Sequence, residues 1–490
     1  MTSLNEKESS PSIKASIDQV EGQAGPRKIL WYRSSYFNAV ILGLCNFFAP
    51  GLWGAMNSLG AGGAQSPYLV NTANALIFSL MVLSATLSSS LVNVVGIRIT
   101  LILGTLGFAP YAAGLYTNNR YGTEWFVLFG AALCGLAAGT FWMAEAAIAL
   151  SYPEPERQGK FLGLWLTFKI AGQIVGGAIN LGVNANRNEA GSVSYTVYLV
   201  FIALRMFFTL MQKSKCLAPI AGIFLTSPEK VQRRDGAKVN LQSKHSTWTE
   251  LKLVFKLFKR QKFLLLIPLI ANYIYTESVM FTYISLWFTV RSRALGSFVS
   301  GLAAAVAGNL MGRLLDNDRW SHRFRARTSF FITITLQGAL LAWNVANSWF
   351  YIRSSPHYDW SDSGFGNGFA VFVLQVANFQ ICYMALFWYC GELAETPEEV
   401  VRIAGLLRAT ESASQAVSYG LSSIPSFAHI GGAALNLGMW GVAVVPGWLI
   451  VRQIGPKYGK HLRERHENPS NEKLAEIEPQ LPAVGDQPRD

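Results

Sequence analysis

Apolar stretches long enough to form membrane-crossing helices recur along almost the whole of this 490-residue chain. A helix needs about 20 such residues to cross the hydrocarbon layer of a bilayer. The sequence predicts twelve spans, at residues 37–58, 71–96, 97–117, 124–150, 161–183, 195–225, 263–290, 294–315, 329–352, 367–391, 402–424 and 431–452. The pattern therefore indicates an all-α, multi-pass integral membrane protein.

The composition agrees with this interpretation. Hydrophobic residues make up 51% of the chain and charged residues only 14%, whereas a soluble domain carries about 25% charged residues. The first 35 residues are polar and lack the apolar core of a cleavable signal peptide. The five cysteines all fall within or at the edge of apolar spans, where a thiol behaves as a small hydrophobic group. This distribution predicts neither a disulfide framework nor a metal cluster.

The net charge of +12 is distributed unevenly along the chain. Of the 41 Lys and Arg, 31 fall in the two tails and the predicted inner loops or at their edges, against 5 in the outer loops. The positive-inside rule therefore predicts that both termini are cytoplasmic. An even number of spans agrees with this, because it places both termini on the same side of the membrane. The basic charge is explained by topology and does not indicate nucleic-acid binding.

A basic loop divides the spans into two sets of six. The predicted organisation is an N-terminal tail at 1–35, a six-helix bundle at 36–225, a central loop at 226–262, a second six-helix bundle at 263–452 and a C-terminal tail at 453–490. The sixth span contains about ten surplus residues and three basic residues, Arg205, Lys213 and Lys215. A broken or extended helix would explain them, but we favour a gene-model error.

The central loop contains an amphipathic segment, "TWTELKLVFKLFKR" (Thr247 to Arg260). It opens with the capping-box pattern of Thr247 and Glu250, and its apolar and lysine residues fall on different faces. We expect this helix to lie along the inner membrane surface, held by apolar burial and by anionic lipids. A solvated linker helix with one apolar side is the other interpretation.

The second set of spans resembles the first. At an offset of 242 residues, "PERQGKFLGLWLTFKIAGQIV" (155–175) matches "PEEVVRIAGLLRATESASQAV" (397–417), with seven identities. Two shorter matches, "FWMAE" with "FWYCGE" and "CNFF" with "ANYI", follow the same order. Parallel six-helix repeats about an axis along the membrane normal are the architecture of major facilitator transporters.

Three blocks carry a more specific resemblance: residues 37–63, 141–168 and 227–236. They resemble the fungal Unc-ninety-three-like branch of the major facilitator superfamily. The resemblance covers most of residues 30 to 465. It implies a twelve-helix secondary-transporter fold of two bundles whose cavity opens alternately to the two membrane faces. Animal relatives are associated with receptor trafficking and channel regulation, so an accessory role remains the alternative.

The superfamily also has a Gly, Asp and Arg cluster between spans two and three. In this chain "VNVVGIRIT" keeps Arg98 but has no acidic residue, whereas its counterpart "GNLMGRLLDNDR" keeps Arg313 and Asp316. The resemblance makes these three residues inner-gate candidates. Their unequal composition predicts that the first half lacks part of the usual gate.

Charged residues inside the fifth and eleventh spans are the main site candidates. Under the repeat, Lys169 matches Glu411, and Gln173 matches Gln415. A charge at mid-bilayer costs about 2.5–3.5 kcal/mol on insertion scales, so such residues usually face a protein interior or an aqueous cavity. We expect Lys169 and Glu411 to face each other near the substrate path, with Arg408 available to either. Alternatively, Arg408 and Glu411 neutralise each other on one helix while Lys169 snorkels.

Three carboxylates in other spans are candidates for proton coupling: Glu145 in span four, Glu277 in span seven and Glu392 at the inner end of span ten. The histidines fall in loops, tails or near a helix end, which leaves coupling to a buried carboxylate. Glu277 is the first choice, although a purely structural carboxylate is the alternative. The polar residues Asn46 and Asn272 occupy matching places in spans one and seven and complete the candidate set.

Aromatic residues are frequent on the helices expected to line the cavity. The candidates are Trp53, Trp142, Tyr275 and Trp388. Cavities lined by rings with a few polar anchors suit amphipathic organic molecules. In a membrane protein, however, most aromatic residues face lipid or the interface.

Enzyme motifs have little support in this sequence. The Gly-Lys pairs lack the glycine pattern of a phosphate-binding loop, and no metal-ligand cluster or nucleophile-and-base set is evident. We therefore predict a non-enzyme without cofactor or metal. The expected function is secondary transport of a small organic solute, with proton coupling a candidate; the alternative is an accessory protein that escorts a membrane-protein partner.

Overall fold

The computed structural model describes residues 30–64, 67–153, 158–210, 225–233, 247–317 and 319–459. Helices dominate these residues. Numbered in chain order, the principal helices are α1 (Ser35–Asn57), α2 (Pro67–Val95), α3 (Ile97–Tyr121), α4 (Trp125–Ser151), α5 (Gln158–Asn184), α6 (Tyr195–Leu210), α7 (Thr247–Phe258), α8 (Gln261–Trp287), α9 (Val290–Leu315), α10 (His322–Ser354), α11 (Phe365–Leu393), α12 (Pro397–Ser422) and α13 (Phe427–Val451).

Twelve of these helices coincide with the twelve predicted spans. Ten are long and apolar enough to cross a membrane by themselves, counting only described residues. The other two are α6, whose apolar part is short within those residues, and α12, which carries the charged residues of the eleventh span. The prediction of an all-α membrane protein with twelve spans is therefore confirmed.

The first helix bends where it packs against α5. Its middle is a wide turn, Phe47–Gly51, that contains Pro50, and a proline inside a helix removes a backbone hydrogen bond. The backbones of α1 and α5 come so close here that a Cβ on Gly172 of α5 would lie 2.5 Å from the Phe47 carbonyl oxygen. This contact fixes the part of α5 that carries the predicted site residues.

The helices form two bundles, α1–α6 and α8–α13. Between the bundles the main contacts are α2 against α12 and α5 against α9. Under the duplication α2 corresponds to α9 and α5 to α12. The two contacts are therefore equivalent under the two-fold axis that relates the bundles. The packing thus follows the two-fold symmetry that the sequence repeat predicts.

Both ends of the described chain lie at the same end of the bundles. The Leu30 amide donates to Gln232 in the central segment, and the ammonium of Lys262 lies 5.4 Å from the centre of the Tyr458 ring. We call this the proximal end and the opposite one the distal end. Assignment of the proximal end to the cytoplasm stays a prediction.

The domain boundaries also stay a prediction. The tails before residue 30 and after residue 459 lie outside the described residues, as does most of the central loop. The same holds for residues 211–224, which carry the surplus part of the sixth span. The proposed gene-model error is therefore still open.

Candidate functional site

A cavity lies between the two bundles, near the middle of their helices. Its volume is about 130 Å³, and it is partly open to solvent. The charged and amide side chains that line it are Lys169, Gln173, Glu277, Gln380, Arg408, Glu411 and Gln415.

Arg408 organises one wall of the cavity. Its guanidinium donates a hydrogen bond to Glu411 Oε2 at 3.0 Å, one turn along α12, and another to the hydroxyl of Tyr383 on α11. The same guanidinium lies 4.5 Å from the centre of the Trp142 ring, which belongs to the other bundle. The second oxygen of Glu411 is buried and accepts no hydrogen bond from the described residues.

Lys169 is held by aromatic rings. Its ammonium lies 5.2 Å from the ring centre of Trp142 and 5.3 Å from that of Tyr383, within the range of cation–π attraction. It forms no ion pair with a described carboxylate. Lys169 and Glu411 therefore share one cavity, as expected, but Glu411 pairs directly with Arg408 on its own helix. Lys169 points into the cavity and does not snorkel to a membrane surface.

Glu277 links two helices of the second bundle at the cavity wall. The side-chain amide of Gln415 on α12 donates to a carboxylate oxygen of Glu277 on α8. Gln173, the repeat partner of Gln415, lines the same cavity from the first bundle, close to Gly54 of α1. The structure thus brings together six of the seven charged and amide residues predicted in spans five, seven and eleven, all except Asn272.

Glu145 lies behind the cavity wall. It is fully buried on α4 and accepts a hydrogen bond from the indole N–H of Trp165, while its other oxygen has no partner among the described residues. It interacts electrostatically with Lys169 and Arg408. Glu145 therefore contributes charge to the site without lining it.

The two predicted asparagines lie outside the cavity. Asn46 donates to the Trp165 carbonyl at 3.3 Å, which joins α1 to α5. Asn272 donates to the backbone and side-chain oxygens of Asn436, both at 2.9 Å, which joins α8 to α13. Each asparagine thus joins the first helix of its bundle to a later helix of the same bundle. The two contacts are not equivalent under the repeat, because the counterpart of α5 is α12.

The four aromatic candidates separate into two pairs. Trp53 and Trp142 line the cavity, and the buried indole N–H of Trp53 has no acceptor among the described residues. Tyr275 packs instead in a small cluster against α13. Trp388 lies over His322 with ring centres 6.5 Å apart, towards the proximal end. Only the first pair can contact a solute in this conformation.

The gate candidates lie near the proximal end. Arg98 follows the left-handed Gly96 between α2 and α3 and interacts electrostatically with Tyr152. Arg313 is in the last turn of α9, and Asp316 is the residue that ends that helix. A role of these residues in an inner gate stays a prediction.

Sequence reasoning missed Tyr383, which touches both cavity cations. Its ring and hydroxyl contact Lys169 and Arg408. The sequence signal was its position one helical turn before Phe387. The Phe387 ring also contacts the site, with its centre 5.0 Å from the Arg408 guanidinium. In an aromatic-rich chain this spacing did not distinguish Tyr383 from its neighbours.

The predicted span 294–315 leaves Arg293 in the outer loop before it, and this prediction is wrong. The helix α9 begins at Val290, and Arg293 is only 1% exposed in its first turn. Its guanidinium donates to four carbonyl oxygens of the first bundle at 2.7–3.0 Å. These belong to Leu59, Gly60, Ala64 and Gly191. A buried charge is tolerated here because the carbonyl dipoles satisfy its donors.

Further contacts join the bundles on the distal side of the cavity. Ser58 and Ser297 lie 2.6 Å apart through their hydroxyls, and Asn71 donates to the Ser422 carbonyl at 2.8 Å and to Thr282 at 3.1 Å. Every hydrogen bond between described residues of the two bundles lies on this side. The bundles are therefore closed against each other at the distal end.

Comparison with known proteins identifies the class of this molecule. The family model described as Major Facilitator Superfamily matches residues 36–419. The chain therefore belongs to that superfamily. Solved structures agree on the fold. The crystal structure of a D-xylose-proton symporter has a TM-score of 0.55 at 12% identity, over 84% of this chain and 97% of that one. A POT family transporter in complex with 5-aminolevulinic acid has a TM-score of 0.57 at 13% identity, over 86% and 96%.

Within the superfamily, several sequence relatives carry informative names. An UNC93-like protein of Schizosaccharomyces pombe is 26% identical over 86% of this chain and 82% of its own length. UNC93-like protein 1 of Arabidopsis thaliana is 27% identical over 81% and 86%. Notoamide biosynthesis cluster protein O' of Aspergillus versicolor is 37% identical over 88% and 91%. Within the Major Facilitator Superfamily, the chain is thus similar to UNC93-like proteins of a fungus and a plant and to a fungal biosynthesis-cluster protein.

Proposed function

We propose that this protein is a secondary transporter that moves a small organic solute by alternating access, with coupling to protons. The observation that carries the proposal is the cavity between the duplicated bundles, to which both bundles contribute ionisable side chains. A buried charge is expensive in a membrane. Four charged side chains around one partly open cavity, Lys169, Glu277, Arg408 and Glu411, are best explained by a polar solute that passes there.

The lining favours an amphipathic, ring-containing solute. The rings of Trp53, Trp142 and Tyr383 surround polar groups that include one unpaired acceptor, on Glu411, and one unpaired donor, on Trp53. Such a site would orient a molecule with an apolar body and both a donor and an acceptor. The name of the Aspergillus relative, which refers to notoamide biosynthesis, supports a biosynthetic product as the solute.

Solute flux in reconstituted vesicles tests the proposal. Purified protein would be assayed with a panel of radiolabelled aromatic acids and aromatic amines, with and without a pH gradient. The transporter should accumulate at least one class above protein-free vesicles. A Gly366→Ala variant is a matched control, because a Cβ there meets no atom within 4 Å. Absence of flux and of solute binding across the panel would contradict the proposal.

A pair of charge swaps tests the cavity cations and anions. Lys169→Glu or Glu411→Lys alone should reduce flux by at least about 10-fold. Each swap puts a charge of the wrong sign in the site, which we expect to cost about 1.4 kcal/mol or more of interaction free energy. If the two charges act together across the cavity, the double swap should recover part of that loss. No recovery would show that the Arg408–Glu411 pair acts independently of Lys169.

Glu277 is the proposed coupling carboxylate. Glu277→Gln keeps the shape and a hydrogen bond to Gln415, but it cannot bind or release a proton. We expect downhill exchange of solute to persist while the pH dependence of flux disappears. An unchanged pH profile would transfer the role to Glu411 or Glu145.

The accessory role predicts a different result. A protein that only escorts a membrane partner would bind that partner specifically and would not need the cavity charges. Affinity capture with wild-type protein and with the Lys169→Glu variant separates the two functions. Partner capture that is unaffected by the swap, together with absent flux, would favour the accessory role.

A further inference from the structure

The helix α7 presents an exposed stripe of alternating aromatic and basic residues. Trp248, Lys252, Phe255 and Lys259 follow spacings of four, three and four, which place them in one stripe where the apolar and the lysine faces of the helix meet. Trp248 is 64% exposed and Phe255 is 58% exposed. Side chains of this size are costly to leave in water, at about 25 cal/mol per Å² of apolar surface. The stripe therefore needs an apolar neighbour.

The stripe combines its apolar surface with positive charge. The Lys252 ammonium lies 5.4 Å from the Trp248 ring centre, and the Lys259 ammonium lies 4.5 Å from that of Phe255. Lys256 is exposed beside them. An aromatic residue next to each lysine matches the interface of a bilayer, where rings enter the headgroup region and ammonium groups meet lipid phosphates.

The opposite side of α7 is attached to the second bundle. Leu257 is buried in the core of that bundle, and Val254 packs against the same core. The packing settles which face of the helix is covered by protein, so the aromatic and basic stripe is turned away from the bundle. Its orientation does not depend on the rest of the central loop.

A cluster of ion pairs holds the end of α7 in place. Arg260 pairs with Glu395 at 3.1 Å and Glu399 at 3.2 Å, and Lys262 pairs with both carboxylates at 3.0 Å. Lys262 also donates to the Leu393 carbonyl at 3.0 Å. We call these four charged side chains the clamp. It connects α7 to the first turn of α12, the helix that carries the cavity residues.

We propose that α7 is a binding element for the anionic surface of the membrane leaflet at the proximal end. The rings of the stripe insert between headgroups, and the three lysines bind lipid phosphates. Because the clamp and the buried face fix its orientation, α7 loses little conformational freedom on binding. Lipid composition is thereby linked mechanically to α12.

Fluorescence in vesicles tests this proposal with the full-length protein. A polarity-sensitive probe would be attached at Thr249→Cys, which is exposed beside the lysines. The protein would be reconstituted in phosphatidylcholine with or without phosphatidylglycerol, and quenching by doxyl-labelled lipid would be measured. Phosphatidylglycerol should shift the probe to a less polar environment and increase quenching, and high salt should weaken both effects.

Two variants separate the contributions of charge and rings. K252Q/K256Q/K259Q should weaken the phosphatidylglycerol-dependent partition by about 5-fold for each lysine removed. W248S/F255S should reduce quenching in both lipids. The control R319Q/R323Q/K457Q removes three exposed charges elsewhere at the proximal end and should leave the probe response unchanged. A probe that remains in water in both lipids, or an equal loss in the control, would overturn the proposal; neither outcome depends on solute flux.

Discussion

The strongest test of the closed distal end is the replacement of Arg293 by methionine. Its guanidinium donates four hydrogen bonds to carbonyls of the first bundle and is 1% exposed. The turn that supplies three of these carbonyls is itself packed tightly. A Cβ on Gly60, which has φ +77°, would lie 2.8 Å from the Cβ of Ser285 on α8. Arg293 therefore stabilises the conformation in which this turn meets the second bundle.

The free energy that the distally closed state should lose in Arg293→Met depends on the number of hydrogen bonds removed and on the cost of burying the cation. A hydrogen bond to a charged group contributes about 1.5–3 kcal/mol, so four of them set an upper limit of about 6–12 kcal/mol. Desolvation of the guanidinium costs several kcal/mol and is recovered when the residue becomes methionine. A net loss of about 2–4 kcal/mol from the distally closed state is therefore expected, a shift of about 30-fold to 1000-fold in the closed-to-open ratio.

Thiol labelling at the distal interface measures that shift. Ser285→Cys would report opening through its reaction rate with a membrane-impermeant maleimide added from the distal side. Ser354→Cys, which is exposed, controls for orientation and reagent access. Arg293→Met should accelerate labelling at position 285 strongly, and Arg293→Lys should have a smaller effect because it keeps the charge but not the planar fork. An unchanged rate in a protein that elutes as a folded species would refute the reasoning.

Three further results are expected. Tyr383→Phe removes one acceptor from the cavity arginine and should lower solute binding about 5-fold while unfolding stability changes by about 1 kcal/mol or less, as checked by equilibrium binding and thermal unfolding. Glu399→Gln leaves buried Lys262 with a weaker partner and should lower the free energy of unfolding by about 1–3 kcal/mol. At the distal end, hydrogen bonds from the Arg291 guanidinium hold the pKa of Asp359 well below its usual range. Its ionised form therefore stabilises the fold at pH above about 4, and this is lost as pH falls through the lowered pKa. Asp359→Asn should abolish this loss of stability at acid pH, as measured by unfolding curves at a series of pH values.

Much of the fold was readable from the sequence because the bilayer imposes a length on each helix. The weakest hydrophobic signal, in α12, was recovered through its repeat partner α5. The same comparison selected Lys169 and Glu411, since a membrane helix rarely carries a charge without a polar environment. These predictions depend on local length, apolarity and repeat spacing, which a single sequence contains.

Contacts between distant helices were harder to predict. Arg293 lies within four residues of the predicted start of its span, where charged residues usually belong to a loop. Its four acceptors are carbonyls, which leave no trace in the side-chain pattern. Asn46 and Asn272 are polar and at matched places in the repeat, but the side-chain amide of each donates to a neighbouring helix of its own bundle and neither lines the cavity.

The two sides of the interface between the bundles differ in how they depend on protons. At the distal end, the hydrogen bonds between described residues of the two bundles use hydroxyls, amides, carbonyls and the Arg293 guanidinium, with no carboxylate among them. In the cavity, Glu277 and Glu411 are joined to α12 partners by bonds that require an ionised or accepting oxygen. In the proposed cycle, pH therefore acts through the cavity and not directly through the distal closure. Removal of Arg293 should shift the conformational equilibrium equally at acid and neutral pH, whereas Glu277→Gln should change only the response to pH.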